Sequence, residues 1–220
     1  MKAGKTEIVC VLDRSGSMSS IREDAIGGFN TMIEGQRADL QDGEECNVSV
    51  YLFDNAYEPL YEGVDLLECD LLDDTNFVPR GSTALLDAVG RTIDAVGARL
   101  AATDEDDRPE NVVVAIITDG AENCSKEYSY ERVAEMIDHQ TTKYSWDFMF
   151  LAANIDANAV ASRLNINAGS TFSYEATAKG AADMYHSVGA TFSRARRGQG
   201  ATFDPNDLVD SDADDASDKS

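Results

Sequence analysis

Two runs leave this sequence little freedom: TEIVCVL at residues 6–12 and NVVVAIIT at 111–118 are short, rich in β-branched residues and almost unbroken in apolar character. A strand that is apolar at nearly every position must be covered on both faces, which is a property of parallel sheets layered between helices. A third run, WDFMFLAAN at 146–154, reads the same way. Between these runs lie segments of helical spacing. Ile21, Ala25, Phe29, Met32 and Ile33 mark one stripe, and Leu85, Leu86, Val89, Ile93, Val96 and Leu100 mark a second. Residues 129–144 and 176–197 are further amphipathic helices, with a short helix at 157–164 and a short edge strand at 170–174. The one departure is NVSVYLFD followed by YEPLYEGVDL, which predicts an antiparallel pair with Pro59 near a sheet edge. Buried strands alternating with helices predict a Rossmann-like α/β fold: a doubly wound, mostly parallel sheet with helices on both faces.

The length of 220 residues suits one such domain, expected over residues 1–197, and a hydrophobic fraction of 43% supplies its core. Residues 198–220 are dense in Asp and poor in apolar side chains, so they read as an acidic, disordered tail. No run approaches the roughly 18 apolar residues of a membrane span, and the opening MKAGKTEIVCVLD lacks the layout of a signal peptide. Cys10, Cys46, Cys69 and Cys124 form no CxxC pair and read as reduced thiols. A cytoplasmic location is therefore expected. A net charge of −23 opposes phosphate backbones and anionic lipid, so neither nucleic acid nor a membrane is the expected partner; divalent cations and basic groups are favoured.

In an open α/β sheet, ligands gather outside the carboxyl ends of the strands. Two polar clusters leave the ends of the two most apolar strands: Asp13-Arg14-Ser15-Gly16-Ser17 and Thr118-Asp119-Gly120. A third, Gly81-Ser82-Thr83, precedes a helix. Together they offer two carboxylates and three hydroxyls, hard oxygen donors that suit Mg²⁺ or Mn²⁺. Taken singly, each cluster is equally a helix cap or a turn.

In that order and context, DRSGS, GST and TDG resemble the metal-ion-dependent adhesion site of von Willebrand factor type A domains, over residues 6–197. The resemblance implies that Ser15 and Ser17 coordinate a divalent metal through their hydroxyls. It further implies that Thr83 contributes directly or through water, while Asp13 and Asp119 supply negative charge directly or through waters. It also implies a strand order of 3-2-1-4-5-6 with one antiparallel edge strand, and a protein partner that offers a Glu or Asp carboxylate to the metal. Arg14, Glu122 and Asn123 are candidates for the ligand rim.

An enzyme is the alternative: a metal-dependent phosphohydrolase of the haloacid dehalogenase type also places Asp after its first strand. Such an enzyme needs a carboxylate two residues later, where this chain has Ser15, and no GxxxxGK[ST] or GxSxG motif is present. No catalytic activity is expected. His139 and His186 lie on predicted helices without triad partners, and Arg194, Arg196 and Arg197 close the last helix, where cations complement its dipole. The tail reads first as a solubilising segment; alternatively, its Asp204, Asp207, Asp210 and Asp212 could reach the metal site of the same or a neighbouring molecule.

Overall fold

The fold is that of a computed structural model, which describes residues 1–207. A six-stranded sheet runs in the order β3-β2-β1-β4-β5-β6. Its strands are β1 (Lys2–Asp13), β2 (Glu45–Phe53), β3 (Tyr57–Asp65), β4 (Pro109–Thr118), β5 (Asp147–Ala153) and β6 (Thr171–Tyr174). All neighbours are parallel except β2 and β3, and β3 is the edge strand that carries Pro59. The expected fold class and strand order are those observed.

The apolar runs divide their side chains between two cores, as the period of two along a strand requires. Ile8, Cys10 and Leu12 of β1 point towards α1 (Arg22–Ala38) and α5 (Ala178–Arg196), where they meet Phe29, Ile33, Val188 and Phe192. Val9 and Val11 point the other way, towards α2 (Leu85–Ala102), α3 (Tyr130–Tyr144) and α4 (Ala157–Arg163). Each of these β1 side chains is at most 2% exposed, so each contributes roughly 1.5–3 kcal/mol of burial. A charge at any of them would remove that term from one core and add a desolvation cost.

Three helices start on side-chain caps, with Ser129, Asp156 and Thr177 each accepting a first-turn amide of α3, α4 and α5. Helix α2 has no such cap from Ala84; the Glu122 carboxylate accepts from the Leu86 amide instead. The polar stretch after β1 forms a 3-10 helix, Gly16–Ile21, that anchors Met18 and Ile21 in the core before α1 begins.

The folded unit continues beyond Arg197, where the composition places its end. Ala201 is buried, the Phe203 ring packs on Phe172, and Arg194 pairs with Asp207 at 2.6 Å. Two apolar side chains and one ion pair hold residues that look like part of an acidic tail. Residues 208–220, including Asp210 and Asp212, lie outside the described residues. Asp207 is held by Arg194, and Asp204 accepts from the Asn206 amide and side chain.

Candidate metal centre

The site forms because β1 and β4 are parallel neighbours in register, Leu12 beside Ile117, so both chains deliver their next residues to one edge. Asp13 and Thr118 meet there: the Thr118 hydroxyl donates to Asp13 Oδ2 at 2.6 Å, and the Ser15 amide donates to Asp13 Oδ1 at 2.7 Å. Ser15 Oγ lies 3.0 Å from Ser17 Oγ, whose hydroxyl donates to Asp119 Oδ1 at 2.6 Å. The 118–120 turn is tied from β6, where the Tyr174 hydroxyl donates to the Thr118 carbonyl at 3.2 Å. Asn154, in a left-handed conformation at the end of β5, donates to the Asp119 carbonyl.

Thr83 arrives from a separate loop. Asn123 clasps it twice, accepting from the Thr83 amide at 3.0 Å and donating its own amide to the Thr83 carbonyl at 3.1 Å. The position of the Thr83 hydroxyl is read from Gly120, where a Cβ would stand 3.2 Å from Thr83 Oγ1 and 3.6 Å from Ser17 Oγ. Hydroxyls from two loops therefore converge over a glycine that leaves them room. All five residues named by the sequence motif, Asp13, Ser15, Ser17, Thr83 and Asp119, come together.

Asp13, Ser15, Thr83 and Asp119 are each at most 3% exposed, while Ser17 opens to solvent. Burial pushes the Asp13 carboxyl from its usual 3.8 up to about 6, against the lowering effect of its hydrogen bonds from Thr118 and Ser15. The negative Asp119 nearby raises it further. Burial raises Asp119 as well, opposed by the Ser17 hydrogen bond. Desolvation disfavours both charges, and among the described residues no arginine or lysine donates to either carboxylate. The donor set thus fits a hard cation: oxygen only, two charges and a solvent mouth. Among the described residues, no cluster of three or more His, Cys, Asp or Glu side chains is placed to hold a metal. This site is instead rich in hydroxyls.

The three rim candidates have other duties. Arg14 is 3% exposed and turns away from Asp13, donating to Asp54 at 3.1 Å and to Glu58 at 2.5 Å. Neighbouring residues in extended chain project to opposite sides, so a residue flanked by ligands need not face them. Glu122 is occupied by the amides of Leu86, Cys124 and Ser125 and by the Ser125 hydroxyl. Asn123 is exposed but acts as the clasp on Thr83.

Sequence reasoning missed Asp87, which accepts from the amides of residues 126–128 and fixes the loop behind the site. Burial alone would raise the Asp87 carboxyl, but those three donors outweigh it and hold it below its usual range. Asp54, which reads as a turn residue, is fully buried between Arg14 and Arg80.

No family model and no curated protein sequence matches this chain. Solved structures do. It superposes on proximal thread matrix protein 1 of the mussel byssus, in a form with a zinc-occupied MIDAS motif, with a TM-score of 0.58 at 13% identity. That match covers 87% of this chain but 46% of the mussel one, so this chain spans about half that protein's length. Manganese-loaded TRAP protein of Plasmodium vivax gives 0.54 at 14% identity, over 80% of this chain and 70% of that one. The von Willebrand factor domain of the type V pili tip protein Mfa5 from Porphyromonas gingivalis gives 0.59 at 10% identity, over 87% and 96%. The fold of this chain is therefore that of a von Willebrand factor type A domain.

Proposed function

We infer that this domain is a binding module that holds one divalent cation, Mg²⁺ or Mn²⁺, and uses it to capture a Glu or Asp side chain of a protein partner. The observation that carries this reading is the convergence of three hydroxyls on two buried carboxylates that have no positive partner among the described residues. Ser15, Ser17 and Thr83 would hold the ion through oxygen, and Asp13 and Asp119 would supply the compensating charge. When bound, the ion supplies a Lewis-acidic positive charge able to accept an outside carboxylate. The chain's own part is preorganisation. Thr118 and the Ser15 amide fix Asp13, Asn123 fixes Thr83, and Ser17 faces the solvent from which a partner must come. The zinc-occupied and manganese-loaded structures of the same fold support a divalent ion as such.

An enzyme is the less supported reading, because the site offers hydroxyls where a phosphohydrolase needs a second acid or base. His139 packs against Tyr144 on α3, and His186 lines a groove between α1 and α5. A nucleic-acid surface is also less supported, since Arg194, Arg196 and Arg197 are each paired with a carboxylate. Among the described residues no helix is long and apolar enough to cross a membrane. Four unpaired thiols, three of them buried, favour a reducing, cytoplasmic setting.

Thermal unfolding of the metal-stripped protein during Mg²⁺ and Mn²⁺ titration tests this reading. A specific site adds RT ln(1 + [L]/Kd), about 2.7 kcal/mol at 100 Kd, a shift of a few degrees. The shift should vanish in a Ser15→Ala, Ser17→Ala variant, and a Glu-bearing peptide should add to it only when metal is present. Equal metal responses in both proteins would mean that the ions merely screen the net charge.

A further inference from the structure

Beside the candidate metal centre lies a charge cluster with no metal-binding duty of its own. Asp54, at the tip of the β2–β3 hairpin, is 0% exposed and receives two guanidinium groups on one oxygen. Arg14 Nε donates to Asp54 Oδ2 at 3.1 Å, and Arg80 Nε donates to the same atom at 2.9 Å. Asp54 Oδ1 accepts from the Ala56 amide at 2.6 Å, which closes the hairpin tip. Glu58 reaches both arginines from the neighbouring strand, at 2.5 Å from Arg14 and 3.6 Å from Arg80. Two positive and two negative side chains balance within the cluster, so it adds no net charge to the site next door.

The positions of these residues give the cluster its significance. Arg14 lies between Asp13 and Ser15 in the first loop of the candidate site, and Arg80 begins the loop that carries Thr83. The main chain repeats the connection. The Arg80 amide donates to the Arg14 carbonyl at 2.8 Å, the Gly16 amide to the Gly81 carbonyl at 3.2 Å, and the Ala84 amide to the Asp54 carbonyl at 3.0 Å. Gly81 has φ +68°, a conformation that favours glycine, and a Cβ there would press on the Asn55 side chain at the hairpin tip. One buried carboxylate thus ties together the two chain segments that deliver Ser15, Ser17 and Thr83. Charge-assisted bonds are the strongest available for fixing such a register.

We propose that Asp54, acting through Arg14 and Arg80, is the positioning residue that sets the cation affinity of the Ser15, Ser17 and Thr83 hydroxyls. The proposal rests on the metal-binding reading above and adds the control of affinity by a residue that does not touch the ion. Groups that orient metal ligands without contacting the metal affect affinity about 10–100-fold when removed. The Asp54→Asn variant keeps the shape and loses the charge, so it should weaken Mn²⁺ binding by that factor. Arg80 is 55% exposed at its side chain and can be truncated with little harm to the core. Its Arg80→Ala variant should weaken binding several-fold, and Arg80→Lys should recover part of the loss. Arg132→Ala, which removes an exposed pair on α3, should leave affinity unchanged.

The test is calorimetric titration of the full chain with Mn²⁺, alongside urea unfolding of each metal-free variant. Weaker binding in Asp54→Asn and Arg80→Ala, with the metal-free fold of Arg80→Ala as stable as wild type, supports the positioning role. Affinities within twofold of wild type overturn it, even where stability falls, because the cluster is then merely structural. If Asp54→Asn does not fold, the Arg80 pair decides alone. If wild-type protein shows no saturable Mn²⁺ binding that Ser15→Ala, Ser17→Ala removes, the metal reading itself fails and the positioning role falls with it.

Discussion

Strand β1 carries two buried carboxylates, Glu7 in its middle and Asp13 at its carboxyl end, and the two are treated in opposite ways. Glu7 is 0% exposed and is met by the chain's own cation: Arg99 Nη2 donates to it at 2.6 Å, and the Ser49 hydroxyl donates at 2.6 Å. Asp13 is 1% exposed and, among the described residues, is met only by neutral donors, Thr118 and the Ser15 amide. The nearest arginine in sequence, Arg14, is spent on Asp54 and Glu58. A buried charge is tolerated when it is paired and hydrogen-bonded. The fold supplies that pairing in the middle of the strand; at its carboxyl end the proposed cation would supply it.

The largest effect comes from breaking the self-sufficient pair. Arg99→Met strands Glu7 in the interior and should cost about 3–5 kcal/mol in urea unfolding, while leaving Mn²⁺ affinity unchanged. The carboxyl end should answer with the opposite sign. Asp13→Asn removes an uncompensated charge whose burial costs about 3 kcal/mol, so the metal-free variant should unfold no earlier than wild type near pH 7. The same variant should lose the stabilisation by Mg²⁺. A strongly destabilised metal-free Asp13→Asn would mean that Asp13 is a structural residue and that the comparison is mistaken.

The smallest effect sharpens the point by pH. In the folded protein the Asp13 carboxyl holds its proton up to about 6, against an ordinary 3.8, so the folded state binds the proton more tightly than the unfolded state. Between those values the contribution of Asp13 to stability falls as pH rises. Linkage gives a loss of about 1 kcal/mol from pH 5 to pH 7 in the metal-free protein. Carboxyls held below their usual range, such as Asp39 and Asp87, titrate under this window. The difference between wild type and Asp13→Asn therefore isolates the effect. Cation binding should show the reverse trend and strengthen as pH rises through about 6, because the proton competes for the same oxygens.

Much of this arrangement was legible in the residues. Unbroken apolar runs demand strands covered on both sides, and Val9 and Ile8 duly face different cores. The hairpin was legible from alternation and from Pro59, which tolerates only an edge. The five motif residues were legible because each follows or precedes a strongly patterned element. The directions of charged side chains were not. Arg14 sits among candidate ligands yet turns away, and Asp54 not only holds the hairpin turn but is buried by two arginines. Both depend on which loops meet in space, and no local pattern encodes that. The packing of residues 198–207 escaped for a different reason: Ala201 and Phe203 are only two side chains in a segment whose composition is that of a solvated tail. For Glu122 and Asn123 the sequence pointed to the loop but not to the contacts they make, since capping α2 and clasping Thr83 depend on a neighbour some 35 to 40 residues away.

The most direct measurement of the central claim is a diffraction experiment on crystals grown with Mn²⁺, with anomalous data collected to locate the ion. The account predicts one strong anomalous peak among the oxygens of Ser15, Ser17 and Thr83, beside Asp13 and Asp119 and on the solvent side where Ser17 is exposed. A peak elsewhere, or none at that position at saturating Mn²⁺, would contradict it.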